Sequence, residues 1–167
     1  ETSYEDLVFG KLSYPNKELE DFALLRSDKS PTYMFAVVID DIEMEITDVI
    51  RGEDHRTNTF KQILIYNALN AKMPNFGHLS MIKGSDGQKL SKRNGDVSVQ
   101  SYKEQGYLPD AIFSYLVKLG WGFGNEEIIS RERILEIFKI EKMKSSPCFF
   151  DITKLKSFSA FYLRKNP

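Results

Sequence analysis

Five consecutive residues near the middle of the chain have the composition of an anion-binding loop: Lys89, Leu90, Ser91, Lys92 and Arg93. They follow a predicted strand at residues 78–82 and a turn at residues 85–87, which places them at the carboxyl end of a strand, where open α/β sheets bind ligands. Two lysines three positions apart, separated by a small serine, can bring their ammonium groups onto the oxygens of a polyphosphate. A solvated loop without a ligand would have the same composition.

The charge distribution also singles out the middle of the chain. The net charge is −1, but residues 1–50 carry −8, residues 51–95 carry +5, residues 96–130 carry −3 and residues 131–167 carry +5. A basic middle segment beside an acidic first segment indicates an anionic ligand, although solvated helix faces would give the same pattern.

The composition excludes several classes of protein. With 167 residues, 41% hydrophobic and 28% charged, the chain falls outside the ranges of disordered, collagen-like and membrane-spanning sequences. The single cysteine, Cys148, cannot form an internal disulfide or a multi-cysteine zinc site, which favours a reducing compartment. The first six residues carry three acids and do not resemble a signal peptide. Because an initiator Met is lacking, we expect the chain to be part of a longer protein.

The hydrophobic periodicity predicts an α/β region followed by a helical region. Residues 35–39 are an apolar run that periodicity alone cannot assign to helix or strand, and we predict a helix there. The other predicted elements are strands at 7–14 and 21–26, a buried strand at 46–50, an amphipathic helix at 54–70, a strand at 78–82, and helices at 99–105, 109–119, 130–138 and 152–162. The order strand, helix, strand over residues 46–82 predicts a parallel crossover unit.

Several motifs make the chain recognisable as a whole. The basic pentapeptide resembles the lysine-rich signature of class I aminoacyl-tRNA synthetases, and its neighbours narrow the resemblance to the bacterial-type glutamyl-tRNA synthetases. The matching stretches occur in the family's order and spacing, at residues 30–33, 35–41, 48–55, 62–66, 106–109 and 119–121. The resemblance covers essentially the whole chain.

The resemblance implies a fold and a division into domains. The fold is α/β: the second half of a Rossmann-type class I synthetase catalytic fold, followed by an α-helical stem-contact domain. Residues 1–30 would be the tail of the inserted acceptor-stem-binding domain, residues 31–95 the half-fold with the lysine-rich loop, and residues 96–167 the helical domain. Neither His55 nor His78 lies in the His-x-Gly-His context of the first half-fold, so we expect this chain alone to be inactive.

The resemblance also implies an activity. Members of this family activate L-glutamate with ATP, giving glutamyl adenylate, and transfer the glutamyl group to the 3′ end of tRNA. Lys89 and Lys92 match the catalytic lysines. The expected ATP-binding residues are Asp54, His55, Ile82, Lys89, Ser91 and Lys92, and the expected glutamate-binding residues are Tyr33 and Arg51. A guanidinium at the end of a strand can hold a carboxylate through two hydrogen bonds. We expect His78 only to cap or pack.

The resemblance extends to cofactors and partners. We expect ATP with Mg²⁺, no metal ligands and no zinc in this segment, and no membrane. The partners would be L-glutamate, ATP and tRNA(Glu), with tRNA(Gln) left open, and the protein would be a cytoplasmic monomer.

Three other functions remain to be weighed against the sequence. Glutaminyl-tRNA synthetase and the paralogue that glutamylates a modified base in tRNA would keep the chemistry and change the substrate. The helical region after Gly95 argues against the paralogue, and the form of the lysine-rich motif argues against the glutamine enzyme. A noncatalytic RNA-binding module could use the basic segments 51–95 and 131–167 to hold phosphates.

Overall fold

The computed structural model describes residues 1–90, 98–124 and 126–165. The chain divides into two units, Glu1–Leu79 and Ser80–Pro167.

A four-stranded sheet forms the centre of the first unit, and its strands are β1 (Thr2–Asp6), β2 (Gly10–Tyr14), β3 (Asp48–Gly52) and β4 (Asn75–Leu79). The strand order is β2-β1-β4-β3. The first two strands form an antiparallel hairpin. Strand β4 runs parallel to β3, with Arg51 opposite His78, and meets the end of β1 where Asp6 lies opposite Phe76.

Two helices complete the first unit, α1 (Tyr33–Glu43) and α2 (Arg56–Ala68). Helix α2 connects β3 to its parallel neighbour β4, which confirms the predicted crossover unit. A short 3₁₀ turn, Glu53–His55, precedes α2. The core of this unit packs these helices on the sheet through Val38, Ile63, Ile65, Tyr66 and Phe76. The buried face of α2 also contains two polar residues, Thr59 and Gln62.

The second unit is mainly helical. Its elements are β5 (Ile82–Lys83), α3 (Val99–Glu104), α4 (Pro109–Gly120), α5 (Arg131–Ile137), β6 (Cys148–Phe149) and α6 (Ile152–Lys165). Strands β5 and β6 form a short parallel pair. Helix α4 begins with Pro109 at a position that tolerates proline, and its buried face packs on α6. The serines at residues 98 and 130 cap α3 and α5 by accepting backbone N–H groups at 3.1 and 3.2 Å.

Four of the predicted elements differ from the structure. The strand predicted at residues 78–82 is not continuous, because β4 ends at Leu79 and β5 begins at Ile82. The strand predicted at residues 7–14 begins only at Gly10, because residues 7–9 form a turn in which Asp6 accepts the N–H groups of Val8 and Phe9. Residues 21–26, all of which the structure describes, form no strand, and Leu25 makes only an isolated bridge with Pro31. The strand predicted as buried is the edge strand β3, and Ile50 is therefore 42% exposed. In the part of the chain that the structure describes, no helix is long and apolar enough to cross a membrane.

Candidate functional site

Arg51 lies near the end of β3, and three protein side chains hold its guanidinium group. Its Nη2 donates to Thr59 Oγ1 at 2.6 Å and to Gln62 Oε1 at 2.7 Å. Its Nε donates to His78 Nε2 at 3.3 Å. Because Thr59 and Gln62 are three residues apart on α2, they present their acceptors on the same helix face. The strand pairing that places Arg51 opposite His78 supplies the third acceptor.

The Nη1 atom of Arg51 is the part of the guanidinium that protein acceptors do not fully use. A guanidinium has five N–H donors, and Nε and Nη2 account for three of them. The only contact of Nη1 recorded within the described residues is a long one of 3.5 Å to the Tyr33 hydroxyl. Tyr33 opens helix α1 and is 49% exposed. Arg51 and Tyr33 can therefore donate hydrogen bonds to an anion, from the N–H groups of Nη1 and from the tyrosine O–H group.

A buried carboxylate lies directly behind His78. The Nδ1 of His78 and the Oδ2 of Asp6 are 2.5 Å apart, and both side chains are completely buried. Asp6 Oδ1 accepts the backbone N–H groups of Val8 at 2.9 Å, Phe9 at 3.0 Å and His78 at 3.3 Å. Four hydrogen bonds thus hold the Asp6 carboxylate in one orientation.

The environment of this pair favours an ionised Asp6 and a neutral His78. Burial alone would raise the pKa of Asp6, but the hydrogen bonds from His78, Phe9 and Val8 lower it below its ordinary value. Burial lowers the pKa of His78, although Asp6 opposes that shift. We assign the single ring proton to Nδ1, because Nδ1 faces the Asp6 carboxylate, which can only accept, and Nε2 faces Arg51 Nε, which can only donate.

Gln62 is only half satisfied. Its Oε1 accepts from Arg51, whereas its Nε2 is buried and has no hydrogen-bond partner among the residues that the structure describes.

The sequence-predicted ATP residues of the first unit lie at the start of α2. His55 is half-buried, its ring lies 6.0 Å from that of Tyr33, and its Nδ1 lies 3.2 Å from the amide nitrogen of Asn58. Asp54 is exposed. A Cβ atom at Gly52 would lie 2.6 Å from Asp54 Oδ1, so glycine permits this close approach of the carboxylate to the backbone.

The other predicted ATP residues lie in the second unit. Ile82 forms part of β5, and its carbonyl oxygen accepts the N–H of Leu90 at 3.0 Å. Lys89 is exposed and pairs with Lys83 across a hairpin. The turn of this hairpin contains Gly87, whose φ of +75° favours glycine. Ser91 and Lys92 lie outside the described residues. Within residues 1–90, 98–124 and 126–165, no group of three or more His, Cys, Asp or Glu side chains could hold a metal ion.

Comparison with known proteins shows the family. A model described as tRNA synthetases class I (E and Q), catalytic domain, matches residues 1–157. The chain belongs to this family. The resemblance seen in the sequence is confirmed.

Curated relatives of this class I synthetase segment are named glutamate–tRNA ligase. The relatives from Francisella tularensis subsp. novicida (strain U112) and Francisella philomiragia subsp. philomiragia are 52% and 51% identical over 164 residues. Each alignment covers 98% of this chain and 35% of the relative, so the segment spans about a third of the length of the relatives that it matches.

Two solved structures are also similar, each with a TM-score of 0.90. One is a glutamate tRNA ligase from Elizabethkingia meningosepticum in complex with its amino acid, at 34% identity, and the other is the glutamate–tRNA synthetase of Elizabethkingia anophelis, at 35%. Each match covers 98% of this chain. This chain in turn covers 36% of the E. meningosepticum protein chain and 37% of the E. anophelis protein chain. The predicted fold class, α/β in the manner of a class I catalytic fold, is confirmed.

Three residues of the Arg51 site were not identified from the sequence of this synthetase segment: Asp6, Thr59 and Gln62. His78 was expected only to cap or pack, and it is indeed buried, but it also joins Asp6 to Arg51. A signal existed for Thr59 and Gln62, because both are polar residues at apolar positions of an amphipathic helix. No local signal identifies Asp6 as the partner of a residue 72 positions away.

Proposed function

We propose that this chain is part of a glutamate–tRNA ligase, which activates L-glutamate with ATP and transfers the glutamyl group to the 3′ end of tRNA. The family match and the names of the relatives support this proposal. The structural observation that carries it is the Arg51 site, in which a cation and a tyrosine hydroxyl offer donors to a carboxylate while buried acceptors fix the guanidinium.

The proposed reaction has two steps. In the first, a carboxylate oxygen of glutamate attacks the α-phosphorus of ATP, and the bond to the β-phosphate breaks to release pyrophosphate. In the second, a terminal ribose hydroxyl of the tRNA attacks the activated carbonyl carbon, loses its proton, and AMP leaves with the electron pair of the cleaved bond. Neither step forms a bond to a side chain of the protein, so the protein contributes positioning and charge stabilisation.

Each predicted site residue has a role in this proposal. Arg51 and Tyr33 bind a carboxylate of glutamate through Nη1 and the phenolic hydroxyl. Lys89 and Lys92 stabilise the charge that grows on the phosphates, and they are the proposed catalytic residues. The remaining ATP contacts are assigned to Asp54, His55, Ile82 and Ser91.

Mg²⁺ accompanies ATP in this proposal. Among the described residues, no group of three or more His, Cys, Asp or Glu side chains is placed to hold it. Mg²⁺ commonly binds substrate phosphates and water with few protein ligands, and no step above depends on its position.

The proposed division into domains follows the expected roles. Residues 1–30 would belong to the acceptor-stem-binding domain, residues 31–95 to the catalytic half-fold, and residues 96–167 to a helical domain that contacts the tRNA stem. The net charge of +5 over residues 131–167 supports tRNA(Glu) contact by the last of these. We further propose that the ligase is a monomer acting in the cytoplasm, where its tRNA substrate is used.

The proposal is tested by tRNA-dependent exchange of pyrophosphate into ATP in the full-length protein, with glutamate and glutamine as alternative amino acids. We expect exchange with glutamate and tRNA(Glu), and charging of tRNA(Glu) in a direct aminoacylation assay, with tRNA(Gln) as a parallel substrate. Lys92→Ala should lower the exchange rate about 10²- to 10⁴-fold, as expected for an electrostatic contact that strengthens in the transition state. The proposal would be overturned if exchange occurred with glutamine and not with glutamate, or if neither amino acid supported exchange.

A further inference from the structure

The buried pair behind Arg51 has no part in the function described so far. Asp6, His78 and Arg51 form a continuous line of hydrogen bonds across three adjacent strands of the first unit, from the carboxylate to the guanidinium. Asp6 and His78 are completely buried, so neither can touch a substrate directly. Placing an ionised carboxylate and an imidazole in a core carries a desolvation cost that an apolar pair would avoid.

We propose that Asp6 and His78 are positioning residues for substrate recognition, which fix the Arg51 guanidinium so that Nη1 points its donors at the substrate carboxylate. The inference rests on the proposed function, because it takes the ligand of Arg51 to be glutamate.

The geometry assigns each member of the line one task. Asp6 accepts the Nδ1–H of His78 and thereby leaves Nε2 without a proton. Nε2 then accepts the Nε–H of Arg51. This bond fixes the Nε atom of the planar guanidinium, and the bonds to Thr59 and Gln62 fix the Nη2 atom. With two of its three nitrogens held, the guanidinium plane has one orientation.

The substitution Asp6→Asn should exchange the donor and acceptor roles of the two ring nitrogens of His78. The three backbone N–H groups on Oδ1 require an oxygen at that position, so the new amide must present its NH₂ group to His78. His78 Nδ1 would then accept, and the ring proton would move to Nε2. Two donors, Nε2–H and the Nε–H of Arg51, would face each other at a separation of 3.3 Å. A substitution of nearly identical shape therefore breaks the link to Arg51.

Two substitutions of His78 separate positioning from stability. In His78→Asn the amide reaches the place of Nδ1, so it can donate to Asp6 but leaves Arg51 without an acceptor. In His78→Gln the amide reaches the place of Nε2, so its oxygen can accept from Arg51 while the bond to Asp6 is lost. Each variant keeps one of the two bonds, and only the second keeps the one that positions Arg51.

The experiment measures steady-state kinetics of tRNA-dependent pyrophosphate exchange in the full-length protein. We expect Asp6→Asn and His78→Asn to raise the KM for glutamate about 10- to 100-fold, with the KM for ATP within about 2-fold of wild type. His78→Gln should restore most of the affinity for glutamate. Tyr66→Phe is the matched control, since it removes a partly buried hydrogen bond to Asp41 in the same unit and leaves every hydrogen bond of Arg51 in place. It should lower thermal stability and leave both KM values unchanged.

A second measurement reads the proton directly. In the ¹⁵N NMR spectrum of the full-length protein, His78 should carry its proton on Nδ1 in the wild type and on Nε2 in Asp6→Asn. A wild-type proton on Nε2 would overturn the inference even if every variant failed to fold. Normal glutamate kinetics in Asp6→Asn, or equal effects of His78→Asn and His78→Gln, would also overturn it while leaving the proposed function intact. A wild-type protein inactive with glutamate would instead overturn the proposed function and the role assigned here.

Discussion

At the scale of single residues, Arg51 makes most of its hydrogen bonds within its own protein, which limits the donors that it can offer a ligand. Three of its five donors are used by Thr59, Gln62 and His78, and the proposed ligand would bind to the two donors on Nη1. From the sequence we expected Arg51 and Tyr33 to bind glutamate, with a guanidinium able to hold a carboxylate through two hydrogen bonds. In the proposed site, Nη1 and the Tyr33 hydroxyl would each supply one of these bonds, because Nη2 already donates to Thr59 and Gln62.

Arg51→Lys tests this use of the guanidinium. Lysine keeps the positive charge but cannot reproduce the fixed fork that reaches Thr59, Gln62 and His78 together. We expect the KM for glutamate to rise about 30- to 150-fold, equivalent to about 2–3 kcal/mol, with the KM for ATP nearly unchanged. Kinetics on both substrates decides the outcome. An effect that falls mainly on ATP would place Arg51 in the nucleotide site.

The Asp6 and His78 pair predicts a pH dependence of stability. The groups facing His78 are Asp6, Tyr4, Arg51 and Arg56, and burial is the largest cause of the lowered pKa of His78. The unfolded chain therefore binds a proton at a pH where the folded protein does not, so the free energy of unfolding falls as the pH drops below about 6.5.

Asp6 adds to this dependence at lower pH, because its lowered pKa contributes stability that is lost as the pH falls below about 4. Denaturant unfolding between pH 8 and pH 4 should show a flatter dependence for His78→Asn than for the wild type. Identical slopes for the two proteins would contradict a neutral, buried His78.

At the scale of secondary-structure elements, α2 and the parallel pair β3 and β4 were predictable because their signals are local. The spacing of apolar residues predicted α2, and the strand, helix, strand order predicted parallel pairing. Pairings between distant segments were not predictable in this way. The end of β1 meets β4 about 70 residues later, and only that pairing brings Asp6 to His78. Asp6 also shortens the strand predicted at residues 7–14, because its carboxylate accepts the N–H groups of Val8 and Phe9 and so competes with the strand ladder at residues 7–9.

The junction between α4 and α6 gives a prediction of stability. The Tyr115 hydroxyl donates to the Asp151 carbonyl at 3.0 Å and accepts the Asp151 N–H at 2.7 Å. Tyr115→Phe leaves the Asp151 N–H without its acceptor at the start of α6, whereas the Asp151 carbonyl still accepts the N–H of Leu155 at 3.1 Å. We therefore expect a loss of about 1–3 kcal/mol in the free energy of unfolding. Tyr107→Phe in the same unit, where no hydroxyl bond is recorded among the described residues, should cost less. Equal losses in urea denaturation would contradict this assignment.

The hairpin that carries Lys89 depends on the left-handed conformation of Gly87. Among the described residues, no atom beyond its immediate chain neighbours lies within 4 Å of the position that a Cβ atom would take there, so the cost of a side chain is conformational and not steric. We expect Gly87→Ala to destabilise the hairpin by about 1 kcal/mol and Gly87→Asn by less, because Asn tolerates positive φ. Amide hydrogen exchange at Leu90, whose N–H bonds to Ile82, measures the opening of the hairpin. Equal protection in both variants and the wild type would contradict the expected strain.

At the scale of the whole molecule, the chain combines the fold of a class I synthetase with one specific candidate site around Arg51. The family and the fold follow from the match over residues 1–157 and from the similar solved structures. The sequence motifs were sufficient to predict both, because they extend along nearly the whole chain. The assignment of residues to glutamate, ATP and tRNA goes further and depends on the geometry of Arg51 and on the kinetics proposed above.

The most direct test of the central claim is a crystal structure of the full-length protein with bound L-glutamate. We expect one carboxylate oxygen of glutamate to lie about 3 Å from Arg51 Nη1 and the other within hydrogen-bond distance of the Tyr33 hydroxyl. The bonds from Arg51 to Thr59, Gln62 and His78 should persist. A bound glutamate with both carboxylates beyond hydrogen-bond distance of Arg51, or an Arg51 side chain that leaves His78 to reach its ligand, would contradict the account.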